Sequence, residues 1–538
     1  MAKVIKYNKE TQEALLSGIN KTVDAVCITL GPRGRNVILE KGMGFPIVTN
    51  DGVSIVKEIT LADKFENLGA SVVKEVATKT NDAAGDGTTT AVVLFRDIVR
   101  FGIHASTLNT NQMERRAGIE AATKETVAAL RYLAKPIKND EEIKQVATIA
   151  AESAELGAVI AETIKKVGKD GVVTVEESQS FGIETDIVTG MQIDKGYISP
   201  YMVTNQETME AEYRDIYVLI TDKTIVSVQD IVPIVDKIAQ SGKKDVVIIA
   251  EDVTGEALAT LIVNKMRGVF SSLIIKAPGF GDGKAEILRD IATITGATVI
   301  SGQTGSSIET ADITTLGKAA RIVATKDKTI IVGGNNKKSV ITEYVTRLKN
   351  ELKTVTGSID KNRLLGRIAK LSGGVAVIKV GAATETEKRY LKLKIEDAVN
   401  ATRAAIDEGI VPGGGAALLR AACVARKKMG IPSVGALLDT DFKVGAEVFL
   451  RALEAPLRQI IENAGNRDSG VIINTLLAGE DSAGYDAKNN VIVKDIVRAG
   501  IIDPVKVTRS CIENASSAAA MLLTTEVAIV DEPPVEKK

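Results

Sequence analysis

The sequence is poor in the residues from which many catalytic and metal sites are built. Its 538 residues contain one histidine, His104, three cysteines and no tryptophan, and aromatic residues make up 3% of the chain. With a single histidine, we expect neither zinc hydrolysis through histidine ligands nor Ser-His-Asp catalysis. Any chemistry should therefore depend on carboxylates, hydroxyl groups and the backbone.

Cysteine usage and hydropathy indicate a cytoplasmic protein. Cys27, Cys423 and Cys511 are odd in number and far apart, which indicates neither a disulfide framework nor a Cys-x-x-Cys metal site. Residues 1–10 lack the continuous apolar core of a secretory signal, and polar residues interrupt the apolar stretch at 515–530. We therefore expect a reducing, cytoplasmic location, without export or a membrane anchor.

The balance of charge argues against a nucleic-acid ligand. Lysine plus arginine, at 68, nearly equals aspartate plus glutamate, at 69, so no net basic field gathers phosphates. The scarcity of aromatic side chains also removes the stacking surfaces that single-strand binders use. Hydrophobic residues at 45% and charged residues at 25% are typical of globular proteins, and the length suggests roughly three domains.

Hydrophobic periodicity predicts helices at both ends of the chain. Apolar residues recur at helical spacing over 9–28, 63–84 and 88–99, and long helices return after residue 382. Short β-branched runs between residues 36 and 49 predict a hairpin after the first helix. Both ends of the chain should therefore contribute to mainly helical outer domains.

A different texture in the middle of the chain predicts an inserted α/β domain. Between residues 215 and 301, short apolar runs alternate with helical stretches. Gly190, Gly196, Gly373 and Gly374 flank this segment, and glycines at a domain edge suit hinges because they absorb large dihedral changes. The strands are expected at 216–221, 246–250, 273–275 and 298–300.

The segment at 81–90, NDAAGDGTTT, is the richest candidate for a functional site. Its glycines free backbone N–H groups to approach phosphate oxygens, and three threonine hydroxyls follow at the start of a helix. Asp86 inside the loop suits Mg²⁺, which prefers hard oxygen ligands together with substrate phosphates. A shorter Gly-Asp-Gly-Thr alone would indicate only a helix cap and a turn, but the whole string favours phosphate binding.

Two further glycine loops are weaker signals. Residues 29–36, TLGPRGRN, read most simply as a turn that ends a helix. Residues 413–415, three consecutive glycines, allow close backbone approach beneath a nucleotide or, equally, tight helix packing. The chain contains no Gly-x-x-x-x-Gly-Lys-Ser/Thr, so a P-loop enzyme is not predicted.

Seven segments identify a family resemblance. TLGPRGRNVILEK, VTNDGVSIVKEI, NDAAGDGTTTAVVL, GGVAVIKVGAATE, EDAVNATRAAIDEGIVPGGG, EAPLRQII and GIIDPVKVTR occur in the order found in group I chaperonins of the GroEL type, the bacterial 60 kDa heat-shock chaperonins. The similarity runs from about Lys3 to Asp531 and is most specific at residues 81–90 and 397–415. Asn50 departs from the pattern, since the family usually has lysine there, and the family's Gly-Gly-Met-rich tail is absent.

The resemblance implies a multidomain α and α/β fold. A mainly helical equatorial ATPase domain would comprise residues 1–134 and 408–530, and a small α+β intermediate hinge domain residues 135–189 and 376–407. The α/β insertion at 190–375 would be the apical domain, and 531–538 a solvated tail. Hinges are expected near Pro136 and Gly409 and near Gly190 and Gly374.

The resemblance also implies the residues of an ATPase site. Asp397 would be the catalytic carboxylate that positions or deprotonates the attacking water, and Asp51 a second acidic residue near that water. Asp86 would hold Mg²⁺, with K⁺ as a further cofactor. Without the resemblance, Asp397 would be interpreted as a solvated acid on an amphipathic helix. The nucleotide contacts would be Thr29, Leu30, Gly31, Pro32, Asp86, Gly87, Thr88, Thr89, Thr90, Gly414, Asp486, Ala487, Lys488 and Asp503.

Apolar residues of the apical domain would bind the substrate and the lid. From the sequence alone these residues would be interpreted as core of helices at 228–240 and 255–266, because exposure cannot be read from a sequence. Exposed apolar surface adheres to unfolded chains. The positions implied are Tyr197, Ser199, Tyr201, Met202, Val232, Val235, Leu258, Ile262 and Val263.

The predicted function is that of an ATP-dependent foldase, with the isomerase and heat-shock associations of its family. It would form homo-oligomeric heptameric rings, stacked in pairs, and enclose non-native client proteins under a GroES-like co-chaperonin. One alternative is a scaffold that kept the fold and lost productive cycling, as Asn50 would permit. Another is a small-molecule nucleotide-dependent enzyme, but the α/β segment has no Gly-x-Gly-x-x-Gly after its first strand.

Overall fold

The computed structural model describes residues 2–40, 46–106, 110–168, 171–206, 208–279, 281–302, 306–355, 357–432 and 438–532. The chain forms two compact units. Unit one comprises Met1–Glu162, Glu177–Gly182 and Val380–Lys538, and unit two comprises Thr163–Glu176 and Ile183–Lys379. Both chain ends therefore contribute to unit one, and unit two is an insertion.

Helices dominate unit one and flank the strands of unit two. Many begin at the capping residues that the sequence offers, as when Asp63 accepts hydrogen bonds from the backbone N–H groups of Phe65 and Glu66. The helices are α1 Asn8–Cys27, α2 Gly52–Glu58, α3 Lys64–Ala84, α4 Thr88–Ala105, α5 Gln112–Leu133, α6 Asp140–Ala151, α7 Ala154–Val167, α8 Val228–Gln240, α9 Gly255–Met266, α10 Asp282–Thr295, α11 Lys338–Thr354, α12 Ser358–Gly373, α13 Glu385–Glu408, α14 Ala416–Lys428, α15 Asp441–Ala452, α16 Ala455–Asn463, α17 Ser469–Ala478 and α18 Val505–Leu523.

Most of the longer strands lie in unit two, whereas unit one has short two-stranded ribbons. The strands are β1 Lys3–Tyr7, β2 Val37–Leu39, β3 Ile47–Thr49, β4 Val172–Glu177, β5 Gly182–Val188, β6 Gly190–Ile193, β7 Ala211–Ile220, β8 Thr224–Ile225, β9 Asp245–Ala250, β10 Asp252–Val253, β11 Ser271–Lys276, β12 Gly317–Ala324, β13 Thr329–Gly334, β14 Val375–Gly381, β15 Ile410–Pro412, β16 Gly484–Asp486, β17 Val491–Val493, β18 Ile502–Pro504 and β19 Val527–Asp531. This combination of elements confirms the predicted multidomain α and α/β class.

Helix α4 is the central helix of unit one. Its side chains Val92, Leu94, Phe95 and Ile98 are fully buried, and it packs against α1, α3, α15 and α18. A helix with this much buried apolar surface is stable only when other elements surround it. Its N-terminus, at Thr88, is therefore held in a fixed position.

Helices α5 and α15 cross with their backbones in close contact. A Cβ atom on Gly118 would lie 2.0 Å from the carbonyl oxygen of Phe442, and one on Gly445 would lie 2.0 Å from that of Arg115. The Arg115 side chain also pairs with Asp441 at 2.8 Å. The crossing therefore requires glycine on both helices because any side chain would push the backbones apart.

Unit two contains a mixed sheet of six strands in the order β11-β9-β7-β12-β13-β6. β7, β9 and β11 are parallel, as expected for the predicted strands at 216–221, 246–250 and 273–275, whereas β12, β13 and β6 pair antiparallel. The predicted strand at 298–300 is wrong, because only a single bridge joins Ile300 to Thr221. A smaller sheet has the order β4-β14-β5.

The two ends of the chain pair with each other in unit one. β1 and β19 are antiparallel, with Lys3 opposite Asp531, and their side chains form an ion pair of 2.6 Å. Asp531 was expected to begin a solvated tail, but it is the last residue of β19 instead, because its backbone continues the pairing with β1. Residues 533–538 of the predicted tail lie outside the described residues. Among the described helices, none is long and apolar enough to cross a membrane.

The glycine crossing gives a first testable prediction. Gly118→Ala should destabilise the contact between α5 and α15 by about 1–3 kcal/mol, because the added methyl group meets backbone rather than a flexible side chain. Hydrogen exchange read by mass spectrometry should show faster exchange in α5.

Gly366→Ala in α12 is the matched control. A Cβ atom there would meet nothing within 4 Å, so the helix should gain up to about 1 kcal/mol from the better helix former. Unchanged exchange of α5 in the Gly118→Ala protein would contradict the account of the crossing.

Candidate functional site

Two left-handed glycines form the turn between α3 and α4. Gly85 ends α3 with φ of 69°, and Gly87 precedes α4 with φ of 82°. A Cβ atom on Gly85 would lie 2.5 Å from the Asn400 side chain, and one on Gly87 would lie 2.6 Å from Val507. Conformation and space thus both require glycine. The turn presents the free N–H groups of the first residues of α4, where the helix dipole also favours an anion.

The short helix α2 brings a carboxylate to the same place. Asp51 caps α2 and accepts hydrogen bonds from the backbone N–H groups of Val53 at 3.2 Å and Ser54 at 3.0 Å. A Cβ atom on Gly52 would lie 2.4 Å from the hydroxyl oxygen of Thr89, so α2 and α4 approach each other closely here. Asp51 is therefore a helix cap, rather than only the residue of an Asp-Gly turn.

The segment after α1 forms another wall of the site. The Thr29 hydroxyl lies 3.4 Å from that of Thr89, and Gly31 has φ of 87°. The Asn463 side chain donates hydrogen bonds to the carbonyl oxygens of Cys27 at 2.8 Å and Leu30 at 2.9 Å. Asn463, which the sequence did not single out, thus fixes this wall from α16.

Helix α13 supplies the carboxylate that the family resemblance singled out. Asp397 lies one turn after Lys394, whose ammonium nitrogen pairs with Glu152 Oε2 at 2.7 Å. All three side chains line one pocket with the walls described above. The pocket is lined by Thr29, Leu30, Gly31, Asn50, Asp51, Gly52, Asp86, Gly87, Thr88, Thr89, Thr90, Ala150, Glu152, Lys394 and Asp397.

Crowding of carboxylates changes their protonation. Burial raises the pKa of Asp397 well above its usual range, and the charges of Asp51 and Asp86 raise it further. Burial also raises the pKa of Asp86 to about 6, although the Gly87 N–H group lowers it in part. At a given pH, Asp397 is therefore protonated more often than an exposed carboxylate is.

Asp503 lies next to this cluster on β18. Burial raises its pKa to about 7, the charge of Asp86 adds to the rise, and a hydrogen bond from the Gly414 backbone opposes it. Gly414 has φ of 62° and follows β15, which pairs with β18. The glycine loop at 413–415 is thus placed beside Asp503.

The donors suit a magnesium ion that keeps some of its own water. Among the described residues, no group of three or more His, Cys, Asp or Glu side chains is arranged to hold a metal. Asp86 supplies one carboxylate, with threonine hydroxyls at the start of α4. Mg²⁺ is commonly held by one or two carboxylates together with substrate phosphates, so the residues fit that ion.

The structure assembles most of the predicted nucleotide residues. One pocket is lined by segments that are far apart in sequence, namely 29–31, Asp51, 86–90 and Asp397. The Asp486 side chain instead accepts hydrogen bonds from the backbone of Lys488 and Asn489, within its own turn. The predicted residues that do not line the pocket are Pro32, Gly414, Asp486, Ala487, Lys488 and Asp503.

The sequence interpretation missed Glu152 and Lys394. Lys394 precedes Asp397 by three residues, so the two share a helix face, and that spacing was available as a signal. No sequence signal pointed to Glu152, because only the fold brings the end of α6 to α13.

A second candidate surface lies within unit two. Tyr201, Val232 and Val263 expose 65%, 40% and 43% of their surface, on the turn at Pro200–Met202 and on helices α8 and α9. Lys265 of α9 donates hydrogen bonds to the carbonyl oxygens of Met202 and, at 3.3 Å, Val203, which ties the helix to the turn. Contiguous exposed apolar patches mark interaction sites, so these side chains form a candidate for one.

Some of the predicted capture residues belong to the core instead. Met202 is 1% exposed, and its sulfur accepts a hydrogen bond from the backbone of Ile274 at 3.3 Å. Tyr197 and Ser199 are also buried, and a buried side chain cannot contact a client. The partly buried predicted residues are Val235, Leu258 and Ile262. Exposed apolar neighbours that were not predicted are Val226, Met266 and Val269.

Comparison with known proteins defines the class. The chain is similar to the crystal structure of the chaperonin gp146 from the bacteriophage EL 2 (Pseudomonas aeruginosa), determined in the presence of ATP-BeFx, with a TM-score of 0.69 and 21% identity. The similarity covers 98% of this chain and 100% of the phage chain, so the fold is that of a chaperonin. The model of the TCP-1/cpn60 chaperonin family matches residues 23–533. The protein belongs to the TCP-1/cpn60 chaperonin family.

Asp503 gives a prediction for the dependence of stability on pH. Its pKa of about 7 in the folded protein exceeds the value of about 4 in an unfolded chain. Its contribution to stability is therefore present below pH 4 and is lost as the pH rises through 7. Asp503→Asn should raise the melting temperature by several degrees at pH 8 and by less at pH 5. Asp481→Asn, at a side chain 97% exposed, should change it at neither pH. An equal gain for Asp503→Asn at both values would contradict the burial of this charge.

Proposed function

We propose that the protein is an ATP-driven chaperonin of the GroEL type, and that the pocket at the N-terminus of α4 binds and hydrolyses ATP. One observation carries this proposal: Asp397 lines the same pocket as Asp86 and the hydroxyl-rich start of α4. Membership of the chaperonin family supports it, as does the likeness to a phage chaperonin determined with ATP-BeFx.

Binding of phosphate would use the start of α4. The free N–H groups after Gly87 and the hydroxyls of Thr88 to Thr90 donate hydrogen bonds, and the helix dipole adds a partial positive charge. The segment at 29–31 would close the pocket from another side. The glycines let the backbone approach phosphate oxygens more closely than any other residue allows.

Activation of water would fall to Asp397. A general base works best when its pKa lies near the operating pH, and burial moves the pKa of Asp397 in that direction. Mg²⁺ held by Asp86 would neutralise the negative charge of the phosphates, and K⁺ is proposed as a second cation. Asp51, fixed as the cap of α2, would orient the same water.

Client capture would use the exposed apolar surface of unit two. Tyr201, Val232 and Val263 supply adhesive side chains, and a GroES-like lid is proposed to compete for the same surface. By the same resemblance, we propose heptameric rings stacked in pairs in the cytoplasm. The division into equatorial, intermediate and apical domains at residues 134, 189, 375 and 407 stays a prediction.

ATP hydrolysis by the assembled protein tests the site. Asp397→Ala should lower kcat by about 100-fold or more, because general-base catalysis contributes about 10²- to 10⁴-fold. Nucleotide affinity should change little, since Asp397 acts on water rather than on the nucleotide. Steady-state phosphate release with Mg²⁺ and K⁺ measures both quantities, alongside refolding of a denatured test protein.

Glu387→Gln is the control on the same helix, at an exposed residue in the first turn of α13. It should hydrolyse ATP as the native protein does. An intact native ring without ATPase activity would refute the proposal and leave the scaffold alternative, for which Asn50 in the pocket is the structural reason.

Substitution of the capture surface tests the second part of the proposal. Tyr201→Ser combined with Val263→Ser should weaken binding of a denatured protein about tenfold or more, because both side chains lose exposed apolar area. Val340→Ser, at a residue of α11 exposed to 42%, is the control. Equal binding by the double variant and the control would show that clients bind elsewhere, and ATPase activity should be normal in both.

A further inference from the structure

The pocket contains a charged pair that hydrolysis as described above does not use. Lys394 and Glu152 both line it, and their side chains are joined at 2.7 Å. The Lys394 side chain is 9% exposed, whereas that of Glu152 is 48% exposed. The ammonium group is therefore the confined member of the pair, and the carboxylate has room to leave.

Glu152 has an uncommon backbone conformation for its residue type. It follows the last residue of α6 with φ of 52°, in the left-handed region that favours glycine. Its backbone N–H group donates to the carbonyl oxygen of Ile149 at 3.1 Å. A glycine would adopt this conformation more readily, but it would supply no carboxylate to pair with Lys394.

Lys394 acts on the pocket as well as on Glu152. It lies one helical turn before Asp397, and its positive charge opposes the rise in the pKa of both Asp397 and Asp86. Among the described residues that line the pocket, Lys394 is the only cation, and Asn50 contributes a neutral amide. An anionic phosphate in this pocket would therefore meet a single side-chain ammonium group, and would compete with Glu152 for it.

We propose that Lys394 binds the terminal phosphate of the nucleotide, and that this phosphate replaces Glu152 as the partner of the ammonium group. The proposal rests on the proposed ATP site and adds a residue to it. The exchange moves no proton and breaks no covalent bond. It replaces one charge-assisted hydrogen bond with another, and it frees the carboxylate at the end of α6.

The two partners should then have opposite effects on affinity. Lys394→Gln should weaken binding of a non-hydrolysable ATP analogue by about 10-fold or more, while ADP, which lacks the terminal phosphate, should change by less than about twofold. Glu152→Gln removes the competing acid and should tighten binding of the analogue about threefold or more. Lys394→Arg should retain most of the affinity. Isothermal titration calorimetry with the nucleotide as titrant and Mg²⁺ in the buffer measures these affinities for the assembled native protein and the three variants.

A structural role for the pair predicts a different pattern. If the pair only joins α6 to α13, both glutamine variants should lower the melting temperature alike and shift affinity for both nucleotides in the same direction. That outcome, or an unchanged affinity in Lys394→Gln, would overturn the proposed role of Lys394. If the native protein still bound ATP, the proposed function would not be affected. A native protein that binds neither nucleotide would refute the proposed function and this inference together.

Discussion

The site depends on how closely the turn at Gly85–Gly87 approaches helices α13 and α18. At both glycines, a single added carbon would overlap a neighbouring side chain, Asn400 on one helix and Val507 on the other. Because most of α4 from Thr88 to Val99 is buried, the turn cannot relieve such an overlap by moving the helix. The position of the N-terminus of α4 is therefore determined by packing against helices that are far away in the sequence, and α13 carries Asp397 to the same point.

Electrostatics in the pocket work against the stability of the free protein. Asp86, Asp397 and Asp503 are half-buried near one another, and loss of solvent together with the neighbouring negative charge raises the pKa of each. Such clustering is costly in a fold and is common where a protein must bind a cation or move a proton. Only Lys394, among the described residues lining the pocket, offsets this negative charge, and it is already paired with Glu152.

Local sequence patterns were sufficient to predict most helices and strands. The side chains that lie together in the pocket depend on long-range contacts, which local patterns do not reveal. The helical spacing of Leu15, Ile19 and Val23 is sufficient to predict α1, because one face must be buried. The position of Glu152 beside Lys394 could not be predicted, since it depends on the crossing of α6 and α13. The family resemblance assigned Met202 to the capture surface together with Tyr201, but only Tyr201 is exposed, whereas Met202 packs against Ile274 of β11.

The pairing of β1 with β19 affects the order in which parts of the protein can fold. The core around α4 lacks α18 until residue 523 has been synthesised, and the terminal ribbon needs residue 531. The sheet of unit two, in contrast, has all its strands once residue 334 has emerged. During translation at about 5–20 residues per second, unit two can fold on the ribosome before α18 has been synthesised. Until then, the apolar faces of the helices that pack against α18, such as α3 and α4, remain uncovered. A nascent chain of this protein thus exposes, for a time, the kind of surface that chaperones themselves recognise.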